Sequence, residues 1–151
     1  DKSLYKSRQE VTLFTAAGFL AASLEVSGVS AMIPNLIPDF LTNYPPLLIA
    51  SLMLLVILPG QLGIHPVATG TAMVAAIKPA ALGMAVPTFA WTIICAWLLS
   101  NLLSPFSALN LTLAGLAERP SWQVGLGLSW RYGLICLIVY SLMVSVIGPV
   151  L

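Results

Sequence analysis

The residues of this chain that could do chemistry fall into two clusters. The first is Gly63, His65, Pro66, Thr69 and Thr71, within the run QLGIHPVATGTAM. The second is Ser104, Pro105, Ser107 and Asn110, within SPFSALN. His65 is the only histidine. An imidazole titrates near pH 6.5, so it can bind a substrate or carry a proton. It can also simply bond to carbonyls freed where a helix breaks. The hydroxyls and the amide can coordinate an ion or a polar solute, or bond back to carbonyls freed by Pro105. Glu25 is a further candidate proton site, because a carboxylate in lipid costs about 2.5 kcal/mol or more. A position at an interface or a local break at Glu25–Gly28 would explain it equally. HExxH, GxSxG, GxGxxG and closely spaced carboxylate pairs are all absent. The pattern is that of a protein that is not an enzyme and holds no metal or organic cofactor.

These residues stand in a very apolar chain. Of 151 residues, 59% are hydrophobic and 7% charged, and the mean hydropathy is +0.99. Soluble domains carry about 25% charged residues. Between Val11 and Ala117 the only charges are Glu25, Asp39 and Lys78. A net charge of +1 builds no field for nucleic acid. The solvent that suits such a chain is a lipid bilayer. Cys95 and Cys136 sit in apolar runs and read as packing residues. The chain begins at Asp1 without a signal-peptide pattern, as expected of a piece of something longer.

The elements that must position the two clusters follow from the breakers. Residues 1–9 form a basic cytoplasmic juxtamembrane segment, and 10–151 a membrane domain. A first helix is expected over 10–33. The loop over 34–45 is rich in proline, so it holds at most a short interfacial helix. Only about 13 residues separate Pro46 from Pro59, whereas a spanning helix needs about 20. The stretch 46–77 therefore reads as a re-entrant helical hairpin with the first cluster at its tip. A broken helix follows over 80–117, kinked at Pro87 and interrupted at Ser104–Asn110. The last helix runs over 122–147, with Trp122, Trp130 and Tyr132 as an aromatic belt. The fold class is thus all-α: three transmembrane helices, one of them discontinuous, and a hairpin. With the hairpin returning to its own side, Lys2, Lys6, Arg8, Arg119 and Arg131 are cytoplasmic and Lys78 alone is outside, which obeys the positive-inside rule.

Paired interruptions of apolar segments point to a transporter site. A helix that stops at membrane depth leaves unpaired backbone groups and about half a unit of dipole charge there. N-terminal ends attract anions, while C-terminal ends and unwound carbonyls attract cations. In order and spacing the chain resembles the C-terminal half of an ion transporter superfamily permease, similar in layout to the divalent anion/sodium symporters. TLFTAAGFLAASLEVSGVSAMI is similar to that group's small-residue-rich helix before the outer hairpin. GIHPVATGTAMVAAI falls at its Ser-Asn-Thr hairpin tip, where this chain has His65-Pro66-Val67. SPFSALNLTLAGL falls at its Thr-Pro-Pro-Asn-like loop, and WQVGLGLSWRYGLICLIV resembles the lead into its last helix. The resemblance implies one half of an inverted-repeat secondary transporter. Its substrate would be a small anion such as a carboxylate, held at a mid-membrane site, with Na⁺ or H⁺ coupling. It implies as partners an N-terminal half or an equivalent chain, and a second copy in a homodimer. The expected location is a bacterial inner (plasma) membrane. The alternative is a non-transporting small subunit that docks on a larger permease. Convergence of the two interruptions in space favours transport; separation, or a position at the lipid boundary, favours the subunit.

Overall fold

The computed structural model of the chain describes residues 11–147 apart from 13, 14, 21, 25, 29–31 and 33–36. All regular elements among the described residues are helical. Of the first helix expected over 10–33, residues 11–12, 15–20, 22–24, 26 and 32 are helical; segment 1–9 and Glu25 lie outside the described residues. The proline-rich loop contains one short helix, α1 (Asp39–Asn43).

Helix α2 (Pro45–Gln61) starts on two prolines, whose missing N–H groups stand where a helix has no partner for them. It passes through Pro59, forfeiting one bond to the carbonyl four residues back. Its 17 residues rise about 26 Å, more than the half-helix implied by a stop at Pro59. Termination comes instead at Gly63, with φ 86°. Gly63 N–H donates to the Gly60 carbonyl (3.2 Å) and Ile64 N–H to that of Pro59 (3.1 Å), a Schellman closure. Helix α3 (Pro66–Ala76) follows at once. His65 precedes a proline, which biases it towards extended backbone; its φ of −64° and ψ of 129° are those of an N-cap.

A 3₁₀ turn over Pro79–Leu82 closes on Gly83, at φ 65°. Helix α4 runs over Val86–Leu103, later than the start expected at Ala80. Pro87 lies in its first turn rather than as a kink, again where no N–H is required. Ser104, extended before Pro105, ends it, and α5 (Ala108–Ala117) restarts after Ser107. A π turn at Gln123–Gly127, not legible as such in the sequence, leads into α6 (Leu128–Ile147).

Helices α2, α4 and α6 form the bundle. Ser104 bonds to Gly60, and Ser100 lies 3.5 Å from the Val56 carbonyl. Pro45 and Ile49 share a cavity with Ala85 and Thr88 at the other end. Helices α2 and α4 are therefore parallel. Helix α6 runs antiparallel to them: Gly133 meets Leu103, and Val144 meets the Thr88 end. A Cβ on Gly60 would collide with Ser100 Oγ, so the glycine is what permits the close approach of α2 and α4. Met53, Val56 and Ala96 are completely buried between the helices. The stretches Val86–Ala117 and Gln123–Ile147 are long and apolar enough to cross a membrane by length and composition.

Candidate functional site

The two interruptions, about 40 residues apart in the chain, meet in space. Ser104 Oγ donates to the Gly60 carbonyl at 2.6 Å, and the Phe106 ring covers Gly63. Between them lies a cleft of ≈260 Å³, lined by residues of both. Four helix ends border it: the C-terminal ends of α2 and α4 and the N-terminal ends of α3 and α5.

The four ends are not equally available. At the end of α4, Asn110 Nδ2 lies 2.8 Å from the Leu102 carbonyl, 2.9 Å from that of Ser104 and 3.4 Å from that of Asn101. At the end of α2, the Gly60 carbonyl is taken by Ser104. The N-terminus of α3 is closed as well: Pro66 has no N–H, and Val67 N–H donates to His65 Nδ1 at 3.2 Å. A neutral ring in that role carries its proton on Nε2. At α5, Ser107 Oγ accepts from Asn110 N–H at 3.2 Å. The N–H groups of Ala108 and Leu109 have no partner among the described residues. The cleft therefore presents both kinds of group: as donors Ala108 N–H, the Ser107 hydroxyl and His65 Nε2–H, and as acceptor Asn101 Oδ1, the amide nitrogen of that residue donating to the Trp97 carbonyl at 3.1 Å. No charged side chain lines it.

Of the residues singled out in the sequence, Gly63, His65, Pro66, Ser104 and Ser107 line the cleft. Thr69 and Thr71 do not; their hydroxyls bond back to the carbonyls of Pro66 (3.1 Å) and Val67 (2.7 Å), as hydroxyls in helices commonly do. Pro105 acts by stopping α4 and is not a lining residue. Asn110 is 2% exposed and acts as a cap on α4. A Cβ on Gly125 would stand 2.7 Å from its Nδ2 and 2.8 Å from the Leu103 carbonyl, so the glycine of the π turn is what makes room for that cap. Sequence reasoning missed Asn101, Phe106 and Ala108. Asn101 had a signal: an amide three residues before Ser104, where the helix stops. Phe106 and Ala108 had none: the Phe106 ring covers Gly63 only once the two interruptions meet, and Ala108 acts through its backbone N–H.

Comparison of the chain with family models, curated proteins and solved structures gives no match.

Proposed function

We propose that this chain is an integral membrane protein, one half of a secondary transporter, and that the cleft between the hairpin tip and the helix break binds a small anionic solute such as a carboxylate. The observation that carries this reading is the meeting of the two interruptions around one cleft that carries uncommitted N–H and O–H donors. With Ser104 and Asn110 occupying the carbonyls of α2 and α4, the N–H of Ala108, the Ser107 hydroxyl and His65 Nε2–H are left to receive an acceptor oxygen. His65 is the candidate for proton coupling. Its protonation would turn Nδ1 from acceptor to donor, so taking up a proton would open the cap on α3. By the resemblance to ion transporter superfamily permeases, the unit works with an N-terminal half, in a homodimer, in a bacterial inner membrane.

Two observations favour the second reading, a docking subunit. An arm of about 26 Å carries the tip most of the way across a hydrocarbon core of about 30 Å. Trp130 and Tyr132 lie within a turn of Gly133, which packs on Leu103. Both features suit a cleft near one face rather than at the midplane.

The test is uptake of a panel of labelled mono- and dicarboxylates into vesicles reconstituted with this chain together with the N-terminal half it works with, under an imposed sodium or pH gradient. Uptake above empty vesicles, abolished by His65→Asn with the melting temperature unchanged, supports transport. Asparagine keeps an N-cap acceptor and removes the Nε2 donor. No uptake under either gradient rejects the transport reading.

A further inference from the structure

The side chains that line the cleft divide into two chemical kinds. Ser107 and His65 sit at the N-caps of α5 and α3 and, with the Ala108 N–H, offer donors to an oxygen. Asn101 stands in the last turn of α4 and lines the same cleft. Its Nδ2 is committed to the Trp97 carbonyl at 3.1 Å, so the group it has to offer is Oδ1, an acceptor that receives no donor among the described residues. Nearby backbone carbonyls cannot take that part. Those of Asn101, Leu102 and Ser104 face Asn110 Nδ2, and that of Gly60 accepts from Ser104 Oγ. A plain carboxylate would set its own lone pairs against Asn101 Oδ1, whereas an ammonium brings three N–H donors.

The charge of the site points the same way. No charged side chain lines the cleft. Of the four helix ends that border it, the N-termini of α3 and α5 each carry about half a unit of positive charge, and the C-termini of α2 and α4 as much negative charge. Together they come close to zero. A carboxylate alone would enter as an uncompensated charge, which is costly away from bulk water. A carboxylate that carries its own positive group adds no net charge, and each of its two ends meets the matching pair of helix ends. The volume of ≈260 Å³ lies just below the range of about 300–1,000 Å³ that drug-sized ligands occupy, and it suits a smaller molecule. Ile64 and Leu111 add apolar wall, suited to a small aliphatic side chain.

We infer, on the premise of the transport reading, that the carboxylate solute of this cleft is an α-amino acid. It binds as a zwitterion, with its ammonium on Asn101 Oδ1 and its carboxylate on the Ser107 hydroxyl, His65 Nε2–H and Ala108 N–H. The test is uptake into vesicles that hold this chain with the N-terminal half it works with. The probes are labelled pairs matched in shape, alanine with propionate and valine with isovalerate; lactate is added as a carboxylate that keeps a donor but lacks the positive charge. Each amino acid is expected to show a kcat/KM at least about tenfold above its partner, the factor that one hydrogen bond to a charged donor supplies, and alanine to exceed lactate. Asn101→Leu removes the acceptor and should lose the preference. Asn101→Asp keeps acceptor oxygens and should retain it. Both should melt as the wild type does, because the Trp97 carbonyl keeps its helical bond. Uptake of propionate, isovalerate or lactate equal to or above that of the amino acids overturns the inference and leaves transport standing. A preference undiminished in Asn101→Leu, or lost in Asn101→Asp, overturns the assignment to Asn101. Uptake of none of the probes rejects the transport reading, and the inference with it.

Discussion

The hairpin tip and the helix break each interrupt an apolar helix just before a restart on an extended N-cap, His65 in one and Ser107 in the other. They terminate the preceding helix by different means. The tip closes on its own backbone, through Gly63 at φ 86° and two bonds to the carbonyls of Pro59 and Gly60. The break has no glycine in the left-handed region and leaves the carbonyls of Asn101, Leu102 and Ser104 to a side chain six or more residues onward, Asn110. A closure made locally depends on one residue's backbone freedom. A closure made by a buried side chain depends on packing, because Asn110 fits only where Gly125 leaves space.

That contrast can be broken most strongly at the break. Asn110→Ala leaves several buried carbonyls without a donor, and should cost about 3 kcal/mol, read as a fall in the denaturant midpoint in detergent. A loss below about 1 kcal/mol would show that water replaces the amide and that the two closures are equally local. Next in size is Gly63→Ala. Its Cβ would meet Phe106 at an ordinary 3.5 Å, so the cost is backbone strain alone, about 1–2 kcal/mol. Full stability in that variant would mean that the tip reorganises without the left-handed residue. The smallest effect is at the caps. His65→Ala should cost about 1 kcal/mol and His65→Asn close to none; an equal loss in both would show that the ring packs rather than caps.

Local punctuation explains why so much of the layout was legible. Proline and glycine act on the residues beside them, so the breaks at 62–65 and 104–107 could be placed from the sequence, and one continuous helix over 46–77 does not occur. The same rule misjudged Pro59 and Pro87. A proline ends a helix only where its missing N–H and its ring cannot be absorbed, and the last turn of α2 and the first of α4 absorb them. Thr69, Thr71 and Asn110 were singled out by type. Whether a polar side chain faces a cleft or a carbonyl depends on what lies opposite, which spacing does not record.

The two long apolar stretches show the same limit. The most apolar window of Val86–Ala117 is 44% buried and that of Gln123–Ile147 only 11%. Their sequences are alike in hydropathy, but α4 has α2, α3 and α6 around it, and α6 turns Ile135, Ile138 and Leu142 outward.

The sequence alone settled that the chain is helical, rich in segments suited to lipid, and interrupted at two places, because composition and the stereochemistry of proline and glycine are local properties. Tertiary structure decided that the interruptions meet, that Asn110 caps α4 instead of facing the cleft, and that α2 and α4 run parallel, with both positive ends at one cavity. Those outcomes rest on close approaches, Gly60 to Ser100 and Gly125 to Asn110, between residues far apart in the chain. Pairings of that kind are fixed by the shape of the packed helices and carry no local signature.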